Sequence, residues 1–269
     1  MHDDQKNTAL LGELHRWEQS ESVNPYISEM WRYTLDYHSA EESGDGSVPQ
    51  ANEKCDAIPY VPRALSSLGL DLVESSRVLD IGCLGGYGLY DLYTRCLRDR
   101  LELPSMAGID IDEESIAMAN AMLPHWGASG RVDFRMMNAE ALDFPDASFD
   151  LVIARLLIPY VPIRKTLEEI ARVMRTGGVA VFQLHGFRYY LDGCRRSLTR
   201  PRQFFYYMRP IVSGMIHVVS GRQPGNRWLS EMALEPAGLE RVARAAGLNA
   251  AWRGGFAVKP IVALKAEGK

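Results

Sequence analysis

Several features are scarce in this 269-residue sequence, and each absence narrows the class of protein. Cysteine occurs four times, at distant positions without CxxC spacing, which favours reduced thiols in a cytoplasmic protein over a disulfide framework. No run approaches 18 apolar residues, so no membrane-spanning helix is expected. Residues 1–17 are acidic and lack a long apolar core, so we expect no signal peptide.

Charge is distributed unevenly, although the net charge is only -4. Residues 1–56 carry 12 acidic and four basic side chains, a balance of -8. Residues 187–230 carry eight arginines and one acid, a balance of +7, together with many aromatic side chains. The acidic segment is predicted to form helices over 7–19 and 24–38, with a loop over 39–54. Residues 57–186, between these two segments, show a different pattern.

That middle part alternates short β-type runs with helical patterns, which is typical of a parallel sheet covered on both faces by helices. A helix over 236–247 and two further strands, plausible as a closing hairpin, follow near the end. The sequence therefore predicts an α/β fold with a seven-stranded, mostly parallel sheet. The strands are expected at 77–82, 106–111, 132–137, 149–154, 179–184, 249–255 and 260–266, and the helices of the middle part at 86–100, 112–123 and 164–175.

The end of the first strand is crowded with glycine, at positions 82, 85, 86 and 88. These glycines do not fit the G-x-G-x-x-G spacing of a nicotinamide-binding loop. Asp80 stands just before the turn, where a carboxylate suits the ammonium end of a ligand better than a pyrophosphate. In open α/β sheets ligands bind beyond the carboxyl ends of the strands, so this loop is the first candidate site.

The stretch VLDIGCLGG (78–86) resembles the first motif of class I S-adenosylmethionine-dependent methyltransferases. GIDID (108–112), the stretch 138–161 and LEEIARVMRTGGVAVFQ (167–183) are similar to later landmarks of that family, in the same order. The resemblance spans about 58–186 and resumes at 234–266. It implies a Rossmann-like fold, S-adenosylmethionine as cofactor, S-adenosylhomocysteine as product, and no metal.

The resemblance also implies roles for individual residues. The aspartate of the second strand is expected to accept hydrogen bonds from the ribose hydroxyls, and charge makes such bonds about twice as strong as neutral ones. The chain departs from the family at Leu84, where a glycine is usual, and at Asn138, where an aspartate is common. The expected cofactor-binding residues are Asp80, Gly82 and Cys83 in the glycine loop, Asp110 at the ribose, Ile111, Asn138, Ala139 and Glu140 around the adenine, and Arg155 at the methionine end or the substrate.

Many small-molecule members of the family have a histidine after the fourth strand, where this chain has Pro159-Tyr160, so a histidine base at that place is excluded. We expect His185, at the end of the fifth strand, to be the base for a hydroxyl acceptor, with Tyr160 as the second catalytic candidate. Arg188, Tyr189 and His217 are expected to bind substrate.

The predicted organisation is an N-terminal helical cap (1–57), a cofactor-binding core (58–186), a basic aromatic lid inserted after strand five (187–230) and a closing segment (231–269). Arginine beside aromatic rings suits a small acceptor with an acidic or aromatic part. The same segment could instead be a solvated helical cap that pairs with the acidic N-terminal segment, and its pattern also permits RNA binding or a membrane surface. The expected activity is methyl transfer to an oxygen or nitrogen of such an acceptor. Two alternatives stay open: an RNA or protein methyltransferase that uses the basic lid, and a cofactor-binding protein without methyl transfer. The pI near 5.9 makes nucleic acid the less favoured partner, and the sequence predicts no oligomeric state.

Overall fold

A computed structural model describes residues 2–19, 24–43, 60–128, 130–224, 231–255 and 259–267. Helices occupy the N-terminal part, the connections between strands and the region after the fifth strand. They are α1 (His2–Glu18), α2 (Pro25–Ser43), α3 (Tyr60–Leu68), α4 (Tyr87–Arg98), α5 (Glu113–Met122), α6 (Ile163–Val173), α7 (Phe187–Arg196), α8 (Pro201–Ser220) and α9 (Pro236–Arg244). Short 3₁₀ helices span Leu123–Trp126 and Ile158–Tyr160.

Seven strands form one mixed sheet in the order β3-β2-β1-β4-β5-β7-β6. The observed pairs β1–β2, β2–β3 and β4–β5 are parallel, and β7 runs antiparallel to both β5 and β6. The strands are β1 (Arg77–Ile81), β2 (Ser105–Asp110), β3 (Val132–Met136), β4 (Phe149–Arg155), β5 (Met174–Gln183), β6 (Leu248–Gly255) and β7 (Pro260–Ala266).

The chain divides into two compact units, of which the first comprises residues 1–61 and 71–138. Its core includes an aromatic cluster in which Trp31 of α2 meets Tyr90 of α4 at 5.2 Å and Trp126 at 6.1 Å between ring centroids. Trp126 in turn packs edge-on against Phe134 of β3. Rings at these separations contribute about 0.5–1.5 kcal/mol per pair beyond burial. The N-terminal helix α2 is therefore an integral part of this unit.

The second unit comprises residues 62–70 and 139–269. Strands β4 and β7, and β5 from Gly178 onward, are almost wholly buried, as their mainly apolar sequences require. Helices α7 and α8, inserted between β5 and the C-terminal elements, pack closely: a Cβ placed on Gly193 of α7 would lie 2.3 Å from the Tyr207 ring of α8. Residues 187–220 of the arginine-rich segment thus form a helical hairpin with its own small core around Tyr190, Cys194 and Ile211.

The fold agrees with the predicted seven-stranded α/β sheet, including the antiparallel closing pair. Several boundaries were wrong, including the start of α1, which lies at His2 where residue 7 was expected. Helix α2 continues through Ser43, where a loop was expected from residue 39, and residues 44–54 of that loop lie outside the described residues. Helix α6 ends at Val173, because Met174 already adopts an extended conformation and pairs with Phe149 as the first residue of β5.

The N-terminal cap, core, lid and closing segment stay predictions as functional divisions. Within the described ranges, none of the helices has both the length and the apolar character needed to cross a membrane.

Candidate functional site

The glycine loop follows β1 in the first unit and is fixed by backbone hydrogen bonds to β2. The N–H groups of Gly82 and Cys83 both donate to the Ile109 carbonyl, at 2.8 and 3.0 Å. Gly82 adopts φ +74°, a left-handed conformation that glycine reaches without steric cost. Leu84 adopts φ +49° although it carries a Cβ, so the loop keeps a backbone shape for which glycine is better suited. Backbone strain of this kind concentrates at functional sites.

Asp110 is the last residue of β2, and its carboxylate is hydrogen-bonded to the glycine loop. Its Oδ2 accepts from the Leu84 N–H at 2.9 Å, and its Oδ1 accepts from the Asp112 N–H at 3.0 Å. The residue is buried, yet a carboxylate has about four acceptor positions, so each oxygen keeps capacity for another donor. Asp110 therefore both holds the glycine loop in place and offers two oxygens to a diol.

Apolar side chains lie uncovered beside this carboxylate. Ile111, directly after Asp110, is 72% exposed, and Met136, the β3 residue in register with Asp110, is 62% exposed. Asn138 follows β3 and is also exposed. An acid flanked by bare aliphatic surface can hold a molecule that has a polar diol and a flat apolar ring. Met136 was missed from sequence, where β3 was treated only as a strand.

Asp80 and Cys83 are buried at the start of the loop. The Cys83 thiol lies 3.6 Å from the Leu84 carbonyl, and a Cβ on Gly108 would be 3.0 Å from the same sulfur. Cys83 thus fills space between β1 and β2. Its predicted contact with a cofactor, like that of Asp80, stays a prediction.

Helix α2 closes on the glycine loop from the N-terminal side. The Trp31 indole N–H donates to the Gly85 carbonyl at 2.9 Å. A Cβ on Gly85 would lie 2.6 Å from Ile27 Cγ2, so this approach of α2 requires glycine. The acidic N-terminal segment therefore contributes to the shape of the loop, through packing and one hydrogen bond.

In the second unit, polar residues that could bind a ligand lie at the ends of β4 and β5. Arg155 ends β4 in register with Gln183 of β5, and Leu156 beyond it has φ +54°. Gln183 is fully buried, and among the described residues its side-chain amide has no hydrogen-bond partner. A buried amide without a hydrogen-bond partner costs about 1–3 kcal/mol of stability. A ligand or water that formed hydrogen bonds with Gln183 would remove this cost. In the sequence, Gln183 has the pattern of an ordinary strand residue.

Ala139 and Glu140, also in this unit, follow β3. Ala139 is buried, and the Glu140 carboxylate lies 3.6 Å from the Lys165 ammonium of α6. Their predicted contact with adenine is compatible with this position and stays a prediction.

A second group, here called the tyrosine–glutamate cluster, consists of Tyr160, His185, Tyr189, Tyr190 and Glu231. The hydroxyls of Tyr160 and Tyr190 both donate to Glu231 Oε1, at 2.9 and 2.7 Å. The His185 ring stacks on Tyr189 with centroids 4.0 Å apart, and its Nδ1 lies 3.4 Å from the Tyr190 hydroxyl. The structure thus brings together three predicted residues, Tyr160, His185 and Tyr189, and adds two that the sequence did not reveal.

The hydrogen bonds define the imidazole tautomer. Tyr190 has one hydroxyl hydrogen, which goes to Glu231, so the His185–Tyr190 contact requires a hydrogen on His185 Nδ1. The lone pair then lies on Nε2. Burial, and to a smaller extent the Lys259 ammonium, lower the pKa of His185 to about 4. The imidazole is therefore neutral at physiological pH, with the Nε2 lone pair unprotonated.

Tyr160 and Tyr190 are protonated donors to Glu231. Burial raises the pKa of Tyr190, and the neighbouring Glu231 carboxylate raises it further. Burial of the hydroxyl end, and then the same carboxylate, raise the pKa of Tyr160, although 53% of that residue's surface stays exposed. A predicted role for Tyr160 as a proton acceptor is therefore disfavoured, whereas hydrogen-bond donation fits.

Two predicted substrate-binding residues lie on α7 and α8. Arg188 is largely exposed, with its guanidinium 3.9 Å from the Asp192 carboxylate one turn further along α7. His217 lies in the buried face of α8, where burial lowers its pKa. Contact of either residue with an acceptor stays a prediction. Among the described residues, no three histidine, cysteine or acidic side chains form a group that could hold a metal ion.

Residues 79–182 match the protein family described as "Methyltransferase domain". The chain is 36% identical over 113 residues to a phosphatidylethanolamine N-methyltransferase of Cereibacter sphaeroides, which covers 42% of this chain and 52% of that protein. It is 34% identical over 110 residues to the 27-O-demethylrifamycin SV methyltransferase of Amycolatopsis mediterranei, covering 40% of this chain and 38% of the relative. The chain thus spans about half or less of the length of these curated relatives.

Solved structures agree on the fold. The magnesium protoporphyrin IX methyltransferase of Synechocystis, solved with bound S-adenosylhomocysteine, superposes with a TM-score of 0.52 at 14% identity. The superposition covers 98% of this chain and 97% of that one. The seven-stranded mixed sheet with helices on both faces is therefore the Rossmann-like arrangement of that enzyme.

Proposed function

We propose that this chain, whose residues 79–182 match the methyltransferase-domain family, is a class I S-adenosylmethionine-dependent methyltransferase that methylates an oxygen or nitrogen atom of a small-molecule acceptor. The observation that carries this proposal is the Asp110 carboxylate, which ends β2 and accepts the Leu84 N–H of the glycine loop. S-adenosylmethionine is the cofactor of the family.

The residues of the first unit fit that cofactor. Asp110 would accept hydrogen bonds from the two ribose hydroxyls, using the acceptor capacity that its two backbone donors leave. The exposed aliphatic surface of Ile111 and Met136 would pack against the adenine. Gly82 lets the loop backbone approach the amino acid end without a Cβ. When bound, the cofactor supplies an electrophilic methyl group on a sulfonium.

The tyrosine–glutamate cluster would hold the acceptor. Its rings offer flat apolar surface, and Glu231 fixes two phenolic hydroxyls whose oxygen lone pairs can accept a hydrogen bond from a ligand. By their names, one relative methylates nitrogen in a phospholipid and another acts on a demethylated rifamycin. Both are small molecules with a large apolar part, which supports an acceptor of that class for this chain.

Positioning supplies most of the rate in such a reaction, worth about 7–11 kcal/mol when reactants are well oriented. A hydroxyl acceptor also needs a proton acceptor, which contributes about 10²–10⁴-fold. We assign that role to His185 Nε2, which carries the lone pair in the tautomer fixed by Tyr190. Glu231 acts through Tyr190 as a positioning residue. An amine acceptor that binds in its neutral form needs no such base.

The test is transfer of a labelled methyl group from S-adenosylmethionine to a panel of amphiphilic amines and alcohols. We expect turnover with at least one class, and a fall of about tenfold or more in kcat for Glu231→Gln with that acceptor, because a neutral amide oxygen accepts the two phenolic hydrogens more weakly than the carboxylate does. Glu168→Gln, which changes an exposed carboxylate of α6, serves as the matched control. Binding of the cofactor without transfer to any acceptor would refute methyl transfer while leaving the cofactor site intact.

A further inference from the structure

Helix α8 exposes apolar side chains along the half that faces solvent. Phe205, Val212, Met215, Ile216 and Val219 are all exposed, Val219 by 87%. At 3.6 residues per turn these five fall within an arc about 100° wide. We call this arc the outer face of α8. A helix on a protein surface normally exposes polar residues to water. The outer face of α8 instead exposes apolar residues, which is unfavourable in water.

The outer face cannot turn inward, because the opposite side of α8 is locked against the protein. Pro210, Ile211, Ser213 and His217 are buried on that side. A Cβ on Gly214 would lie 2.4 Å from the Ala233 carbonyl oxygen, so the helix backbone there touches the neighbouring segment directly. The orientation of the outer face is thus fixed by the packing of the opposite side of α8.

Arginines border the apolar arc. Arg202 and Arg209 fall on one edge of the arc by helical geometry, and Arg200 caps the start of α8. Leu198, 73% exposed, extends the apolar surface into the turn before the helix. The sequence of α8 contains no acidic residue. A helix with an apolar side, basic residues at its margin and aromatic side chains is the pattern that lies in the interface of a membrane.

We propose that the outer face of α8 docks on the surface of an anionic phospholipid bilayer. The five aliphatic and aromatic side chains would enter the boundary of headgroups and acyl chains, and the flanking arginines would meet lipid phosphates. A second copy of the chain fits less well, because two-fold pairing of this face would bring its arginines close to their own copies. Nucleic acid also fits less well, because the centre of the face is aliphatic and the arginines stand at its edge.

The experiment is co-sedimentation of the full chain with vesicles of phosphatidylcholine alone or mixed with phosphatidylglycerol. We expect binding to the mixed vesicles that weakens as salt is raised. Val219→Glu should lower the partition coefficient about tenfold or more, because it places a charge in the apolar arc. Arg202→Ala should lower it about fivefold on mixed vesicles and leave neutral vesicles unaffected.

Leu97→Glu is the matched control, since Leu97 is an apolar residue of α4 that is 44% exposed and lies in the other unit. It should bind vesicles as the wild type does. The proposal is overturned if the wild type fails to sediment with mixed vesicles at low salt, or if Leu97→Glu loses binding as strongly as Val219→Glu. If light scattering showed that the wild type is a dimer and Val219→Glu a monomer, the outer face would be assigned to contact with a second copy instead.

Discussion

Replacing His185 by glutamine should make the protein less sensitive to acid. The imidazole is buried, with 8% of its surface exposed, and its pKa in the folded chain is about 4, against about 6.5 for an ordinary histidine. Below pH 6.5 the unfolded chain takes up a proton that the folded chain still refuses. The folded state therefore loses stability as the pH falls from about 6.5 to about 4, and the contribution of His185 is fully present above that window.

The size of the effect follows from the shift. The difference between 6.5 and 4 is 2.5 pKa units, which at about 1.4 kcal/mol per unit amounts to about 3 kcal/mol over the whole window. Most of it is expressed by about pH 4.5, where the wild type should have lost roughly 2 kcal/mol more than His185→Gln. Glutamine keeps an amide donor for the Tyr190 hydroxyl and cannot titrate.

The assay is urea unfolding of both proteins at neutral pH and near pH 4.5, compared as the free energy of unfolding. His15→Gln, a change at an exposed histidine of α1, shows what the loss of a histidine does by itself. If wild type and His185→Gln lost the same stability on acidification, the burial of a neutral imidazole in the tyrosine–glutamate cluster would be disproved.

Three further changes test the first unit. Trp31→Phe should cost about 1–3 kcal/mol of stability by leaving the Gly85 carbonyl without its indole donor, and an unchanged urea midpoint would speak against that bond. Leu84→Gly should be more stable than Leu84→Ala by about 1–2 kcal/mol, since a Cβ at φ +49° is strained; equal unfolding curves would contradict this. Asp112→Ala should cost about 1 kcal/mol, because its carboxylate caps α5 by accepting from the Ser115 N–H, while cofactor affinity measured by calorimetry stays as it was.

Local sequence patterns were sufficient to predict the helices and strands around β1 and β2. Branched apolar runs ended by glycine predict β1, whereas Asp110 was predicted as a site residue through the resemblance of GIDID (108–112) to the methyltransferase family. Helix α2 was predicted too short because residues 39–43 (SAEES) read as polar loop, whereas alanine and glutamate are good helix formers that continue a helix already begun.

The tyrosine–glutamate cluster could be predicted only in part. Tyr160 and Glu231 are 71 residues apart in sequence and meet through the tertiary fold. Nothing in the stretch around Glu231 distinguishes it from a surface acid. The unpaired amide of Gln183 likewise becomes visible only once its burial is known.

The central claim is that the glycine loop and Asp110 bind S-adenosylmethionine, and calorimetric titration with that ligand and S-adenosylhomocysteine tests it most directly. We predict micromolar binding by the wild type and a loss on the order of 100-fold or more in Asp110→Ala, because two charge-assisted hydrogen bonds disappear. Glu113→Ala, which removes a neighbouring exposed acid at the start of α5, should bind as the wild type does. Absence of binding to the wild type, or equal affinity in Asp110→Ala, would contradict the account.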